Sequence, residues 1–406
     1  RGCGGCDRGC KKGDPVGATL AVTSPDGGDF REDGRRLRIV NVVGGRPNFI
    51  KIAPLMEAMG AVPTIQRLLV HTGQHYDHEM SRAFFEDLEI PEPDFFLGVG
   101  SGSHAQQTAK VLVEFEKVLE EARPDLVVVV GDLNSTLACA LAAAKLLIPV
   151  AHVEAGLRSF DRAMPEEINR TLTDHVSEYL FTPSEDADVQ LLHEGIPAAK
   201  IHRVGNVMID TLRKYEPMGR ARRAAQTLGL APRGYAVLTL HRPSNVDEPE
   251  AFGRMLDGLE TILPRCPVVF PVHPRTRKRL AEFGLEARLD RLDHLRLCAP
   301  LGYLDFLSLL IDSRFVMTDS GGIQEETTAL GIPCLTLREN TERPITVSIG
   351  TNRVIGTSPD RIAAEALRLL DGEAPRGAVP PLWDGQAARR IVEVLRRHAA
   401  RKEVGR

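Results

Sequence analysis

Phe315-Val316-Met317-Thr318-Asp319-Ser320-Gly321-Gly322-Ile323-Gln324-Glu325-Glu326 joins two kinds of sequence. The first four residues are an apolar run of strand type, and a helix opens among the glycines. A strand that passes directly into a helix is half of a βαβ unit, and Pro333–Leu337 supplies the next strand. At such a junction, free backbone N–H groups and the positive end of the helix dipole face outward. They accept a phosphate or diphosphate without needing a lysine. Ser320 adds a hydroxyl donor. Glu325 and Glu326 are unusual companions for an anion, unless one of them accepts from a diol such as a ribose.

The same alternation extends in both directions. Tyr235–Leu240, Val268–Val272 and His294–Cys298 precede the quoted stretch as strands, with helix-length segments between them. An earlier series comprises Leu37–Val43, Gln66–His71, Leu126–Val130, Pro149–Val153, Tyr179–Thr182 and Ile201–Val204. Strands interleaved with helices imply parallel sheets covered on both faces. Between the two series lies the polar stretch Arg213–Gly234, with Pro217, Gly219 and clustered arginines. The pattern predicts an α/β protein of two doubly wound domains facing each other across a cleft. Its expected divisions are a disordered leader at 1–35, domains at 36–212 and 213–380, and a C-terminal segment at 381–406. Within that segment Gln386–Ala400 reads as an amphipathic helix with a basic polar face. Ligands of such sheets bind at the carboxyl ends of the strands.

Composition narrows the possibilities. The chain has 406 residues, 43% hydrophobic and 26% charged, which suits a globular protein with more than one core. Its 51 basic and 55 acidic residues give a formal charge of −4, which offers no general field for nucleic acid. The longest apolar stretch, Thr136–Val153, is broken by Lys145 and Pro149, and no secretory signal is evident. A cytoplasmic protein without membrane insertion is the expectation. Cys139, Cys266, Cys298 and Cys334 sit singly in apolar elements, as reduced thiols. Cys3, Cys6 and Cys10 have no fourth ligand nearby, and His71, His75 and His78 have no acidic partner pattern, so no metal site is expected.

Carboxylates mark the other candidate site. Asp132 follows Leu126–Val130, and Glu154 follows Pro149–Val153. Glu166 and Glu167 come after Pro165, at the start of a helix containing Asn169 and Arg170. Acids at adjacent strand tips supply a general acid and base when their pKa values are pushed apart. Arg46 and Lys51 flank the first strand-to-helix turn, His241-Arg242 ends a strand, and Arg343 lies in Asn340–Pro344. That first turn is neither a G-x-G-x-x-G fingerprint nor a P-loop, so neither a dinucleotide cofactor nor ATP is indicated. The residues describe an enzyme for a phosphorylated, nucleotide-linked substrate that moves protons with carboxylates. They leave its reaction open.

With these residues in place, the chain from about Leu37 to Leu395 closely resembles the non-hydrolysing UDP-N-acetylglucosamine 2-epimerases. The resemblance rests on motifs in order: Gly45-Arg46-Pro47 through Leu55, Gly131-Asp132, and His152–Arg158. Pro165-Glu166-Glu167 with Asn169–Leu172, Gly205-Asn206, His241-Arg242 and Pro271–His273 follow. Thr318–Glu326, Thr341–Pro344 and Asp384–Ala387 complete the set. Departures from the family pattern are Asn48 in place of an acid and Pro243-Ser244-Asn245 after His241-Arg242.

The resemblance implies a GT-B-like fold of two Rossmann-like domains, with the C-terminal helix returning to the first. It implies reversible epimerisation of UDP-GlcNAc and UDP-ManNAc, through elimination of UDP to a 2-acetamidoglucal and re-addition, without a metal or redox cofactor. A homodimer that serves surface polysaccharide synthesis is implied as well. Carried over by motif, Asp132, Glu154 and Glu166 match the catalytic carboxylates, and His241 joins them as a catalytic residue. Arg46, Lys51, His241 and Arg343 match positions around the diphosphate and sugar, with Arg170 as a supporting cation. Ser320, Gly321 and Gly322 match the phosphate turn, Glu326 a ribose-binding acid and Phe306 a neighbour of the uracil. Two further readings are a hydrolysing epimerase that releases ManNAc and UDP, and an epimerase of a UDP-2,3-diacetamido uronic acid.

Overall fold

A computed structural model describes residues 36–73, 85, 87–272 and 274–404. The leader with its three cysteines, His75, His78, His273 and the side chain of Arg46 lie outside the described residues.

Among the described residues, thirteen strands form two wholly parallel sheets. The first comprises β1 (Leu37–Val43), β2 (Ile65–His71), β3 (Phe95–Phe96), β4 (Leu126–Val130), β5 (Val150–Val153), β6 (Tyr179–Thr182) and β7 (Ile201–Arg203). Their order is 3-2-1-4-5-6-7. The second comprises β8 (Ala236–Thr239), β9 (Val268–Pro271), β10 (Leu295–Cys298), β11 (Phe315–Thr318), β12 (Cys334–Thr336) and β13 (Asn352–Val354), in the order 10-9-8-11-12-13. β4, Leu-Val-Val-Val-Val, is buried along its whole length, as a parallel strand covered on both faces must be. In each sheet the strand order reverses beside the first strand, at β1/β4 and at β8/β11. These are the switch points where ligands bind.

β3 and β13 escaped the sequence reading. Both are edge strands, only two and three residues long, and β13 carries Asn352 and Arg353 rather than an apolar run. Between the two strand series, where Arg213–Gly234 is the expected break, one helix spans Val207–Arg222 with Pro217 inside it. Its polar residues pair along its own surface, as Arg213 and Arg220 do with Glu216. This helix ties the two halves together. Thr211 donates to the Ile50 carbonyl at 2.6 Å, Arg213 reaches the Ala329 carbonyl at 2.9 Å, and Tyr215 meets Tyr303 edge-on at 6.2 Å. The apolar core under β1 and β4 accordingly extends to Leu304, Leu307 and Ile311 of the second half.

The chain end returns to the first sheet. Trp383 is buried and donates from its indole to the Pro183 carbonyl at 2.9 Å. The helix Ala387–Val404 then packs on the helix Arg46–Gly60. Asp210 accepts from the first amides of that last helix, Ala387 at 3.0 Å and Ala388 at 2.7 Å. Gly205 makes the close approach possible: its φ is 90°, and a Cβ there would lie 2.1 Å from the Leu382 carbonyl. Among the described residues, no helix is long and apolar enough to cross a membrane.

Candidate active site

β4 and β5 pair with Val130 opposite Val153, so Asp132 and Glu154 leave adjacent strand tips one residue apart in level. Glu154 has φ 74°, a left-handed conformation that is costly for a side-chain-bearing residue. Two amides, those of Glu154 and Ala155, converge on the Phe181 carbonyl at 3.1 and 3.0 Å and fix this turn. The Glu154 carboxylate is buried between two cations. Lys51, from the helix after β1, holds one oxygen, and Arg343, from the second half, holds the other at 2.6 Å. This ion pair joins the two halves of the chain.

Asp132 is held differently. Arg170 binds its Oδ2 at 2.6 Å, and the Asn169 amide donates to its backbone carbonyl at 3.0 Å. Burial alone would raise its pKa, but Arg170 and Lys51 outweigh burial and keep the carboxyl below its ordinary value. The tandem acids divide their tasks. Glu167 accepts from the Ser159 amide and hydroxyl, both at 3.0 Å, from the Phe160 amide at 2.9 Å, and from Arg170 at 2.6 Å. It braces the loop. Glu166 is half-buried and makes no hydrogen bond or ion pair among the described residues, which leaves its carboxyl available.

In the second half, Ser320 stands at the N-cap position of the helix Gly321–Leu330 beyond β11, without a side-chain cap bond. A Cβ on Gly321 would lie 2.9 Å from the guanidinium carbon of Arg343, so glycine lets this cation lie against the turn. His241 meets Asp319 at 2.7 Å, with its own side chain 55% exposed. Asp319 also accepts from the Arg242 amide and the Asn245 side chain, at 3.0 and 3.1 Å. Glu326 is buried and accepts from the Tyr303 hydroxyl at 3.3 Å; burial pushes its carboxyl up to about 7. Phe306 lies one turn beyond Tyr303, partly buried.

Direct contacts thus join Asp132, Glu154, Lys51, Arg170 and Arg343 through shared partners. Among the described residues Glu166, His241, Phe306 and Glu326 make no hydrogen bond or ion pair with them. Arg46 is placed only as the first residue of its helix.

Three polar groups of the site were not singled out from sequence. Glu342 accepts from Arg338 at 2.6 Å and Arg242 at 2.9 Å, with Arg343 at 3.4 Å and Arg170 at 3.9 Å. Burial opposes its charge, but the surrounding guanidiniums, Arg343 foremost, drive its pKa far down. His152 and Asp174 form a buried pair at 2.6 Å beneath the strand tips, and the other His152 nitrogen meets the Gly131 carbonyl at 2.8 Å. Alternation along β5 was the available signal for His152, since it points opposite to its apolar neighbours. His71 belongs elsewhere: burial lowers it to about 4, and its Nδ1 accepts from the Gly73 amide at 2.9 Å. Among the described residues, no three His, Cys, Asp or Glu side chains gather as a metal-holding group.

Residues 57–396 match the family model described as UDP-N-acetylglucosamine 2-epimerase. The chain belongs to this family. The UDP-N-acetylglucosamine 2-epimerase of Methanocaldococcus jannaschii is 44% identical over 364 residues, covering 88% of this chain and 99% of that protein. A UDP-2,3-diacetamido-2,3-dideoxy-D-glucuronate 2-epimerase of Pseudomonas aeruginosa is 43% identical, with 88% and 99% covered. The crystal structure of the M. jannaschii protein in complex with UDP-GlcNAc and UDP superposes with a TM-score of 0.82 over 88% of this chain and 99% of that one. The two-sheet architecture is therefore GT-B-like, and family membership places the chain among the epimerases.

Proposed function

We propose that the chain interconverts UDP-GlcNAc and UDP-ManNAc without hydrolysis, in the cleft between the two sheets. In this reaction a base removes the C2 proton while the C1–oxygen bond breaks. The electron pair of the C2–H bond becomes the C1=C2 double bond, and UDP departs with the electrons of the C1–oxygen bond. UDP then returns to C1 as an acid delivers a proton to the opposite face of C2. An acid and a base are needed on opposite faces of the sugar, and fixed positive charge is needed at the departing diphosphate.

One observation carries the reading: Glu154 and Asp132 leave paired strand tips, and Arg343 reaches Glu154 from the half that bears the glycine turn. In that arrangement the proton-moving groups face the leaving-group site. Asp132, Glu154 and Glu166 are assigned to proton transfer. Lys51, Arg343, His241, Ser320, Gly321 and Gly322 are assigned to the diphosphate, with Arg46 and Arg170 supporting. Glu326 takes the ribose and Phe306 the uracil side. Both cations on Glu154 belong to the diphosphate set, so an arriving substrate competes for them and frees the Glu154 carboxylate. A domain pair at 36–212 and 213–380 and a homodimer acting in the cytoplasm complete the proposal.

The uronic acid reading keeps specific support, because the relative acting on a diacetamido-glucuronate is as similar as the one named for UDP-GlcNAc. Proton NMR in D2O separates the readings. With UDP-GlcNAc, a growing UDP-ManNAc signal with deuterium at C2 and UDP still attached is the expected result. Free ManNAc and UDP would make the enzyme hydrolytic. Inertness toward UDP-GlcNAc with exchange on the uronate would move the substrate assignment.

A further inference from the structure

Glu325 is the acid that the phosphate turn does not account for. It sits on the helix Gly321–Leu330 with its side chain 1% exposed. Among the described residues, neither of its oxygens has a hydrogen-bond partner, and its ion pair is with the Arg343 Nε at 3.2 Å, without hydrogen-bond geometry. A buried carboxylate so poorly supplied costs stability, and an apolar side chain would pack there more cheaply. Its placement therefore calls for a reason outside packing.

The surroundings supply one. Arg343 has its Nη2 on Glu154 at 2.6 Å and its Nη1 3.4 Å from Glu342, and its guanidinium carbon lies against Gly321. Of these acids, Glu325 alone lies on the helix that begins at the phosphate turn. We propose that Glu325 is a positioning residue for the reaction: it anchors Arg343 by Nε from the phosphate helix, so that the Nη edge swings from Glu154 to the diphosphate without the cation leaving the turn. The inference rests on the epimerase reading. When a diphosphate arrives, the Glu154–Arg343 pair is the contact that gives way, and the Nε anchor persists because it moves with the turn.

The charged groups facing Glu325 are Arg343 from the loop after β12, Glu154 and Lys51 from the first half, and Glu326 on its own helix. Burial, with Glu154 adding repulsion and Arg343 and Lys51 opposing, pushes Glu325 up to about 7. The anchor is thus weakest in acid, where the carboxyl takes up a proton.

The test is a double-mutant cycle on the full chain, with UDP-GlcNAc or the diacetamido uronate as substrate, whichever the unaltered protein turns over. Glu325→Gln is expected to bind that substrate as tightly as the unaltered chain or more tightly, since one negative charge leaves the diphosphate site. Its kcat should fall by about 10²-fold, the size of effect that misplacement of a positioned group produces. Arg343→Lys should fall as far, and the double variant should be no worse than Arg343→Lys alone. Glu325→Asp keeps the charge and should recover part of kcat. An unchanged kcat in Glu325→Gln overturns the proposal, as do multiplicative losses in the double variant or Glu325→Asp no better than Glu325→Gln. Should both Glu325 variants fail to fold, Glu325 is structural and the proposal falls. No turnover of either substrate by the unaltered protein removes the epimerase reading itself, whereas turnover indifferent to Glu325 removes only this role.

Discussion

Glu154 carries the heaviest demand on any single side chain, since it sits in a left-handed conformation with a cation on each oxygen. Glu154→Gln keeps the shape and removes a carboxylate proposed to move the C2 proton, so C2 deuterium exchange should fall by about 10²- to 10⁴-fold while the protein stays folded; NMR exchange and calorimetry together check this. Gly321→Ala tests the other side of the cleft. Its Cβ would press on the Arg343 guanidinium at 2.9 Å, so KM for the nucleotide sugar should rise more than kcat falls in steady-state assays. These residues were legible in the sequence because each stands at a strand end, where position alone suggests chemistry. Glu342 was not. Its meaning comes from guanidiniums at 170, 242, 338 and 343, brought together by both halves of the fold, and nothing in the local sequence reveals that gathering.

The elements show a similar divide. The strands at the centre of each sheet are continuous apolar runs, and those runs survive as strands almost residue for residue. Of the four edge strands, β7 and β10 are legible in the sequence, whereas β3 and β13 are short and mixed and no periodicity announces them. The helix Val207–Arg222 runs through Pro217 and Gly219, residues that usually punctuate a chain. Here Gly219 lies against the helix Tyr303–Asp312, where a Cβ would be 2.9 Å from Leu307. The first turns of that helix also hold the last one, through the two amides that Asp210 accepts. Asp210→Ala should lower unfolding stability by about 1 kcal/mol, the usual value of a helix cap, as measured by urea titration. Asp210→Asn retains an acceptor and should lose less.

Across the described residues, the buried acids with shifted pKa values include two groups with opposite pH behaviour. Glu325 and Glu326 are raised to about 7 and Asp210 to about 6, chiefly by burial. Their folded pKa values exceed the unfolded ones, so their contribution is complete at low pH and is lost as pH rises through 6 to 7. Asp132, Asp174, Asp319 and Glu342 are lowered by cationic or histidine partners that outweigh burial. Their contribution is present above the ordinary carboxylate range and is lost as pH falls below it. Stability of the ligand-free chain should therefore peak near about pH 5 and decline toward pH 8 in scanning calorimetry. Glu326→Gln should flatten the decline. The chain also carries its own optical reporter of assembly. Its single tryptophan, Trp383, is buried where the returning tail meets the first half, with its indole on the Pro183 carbonyl. Emission from that one indole reads the docking of the tail against a background without other tryptophans, so detachment of the last helix and collapse of the sheets can be timed separately in a stopped-flow trace.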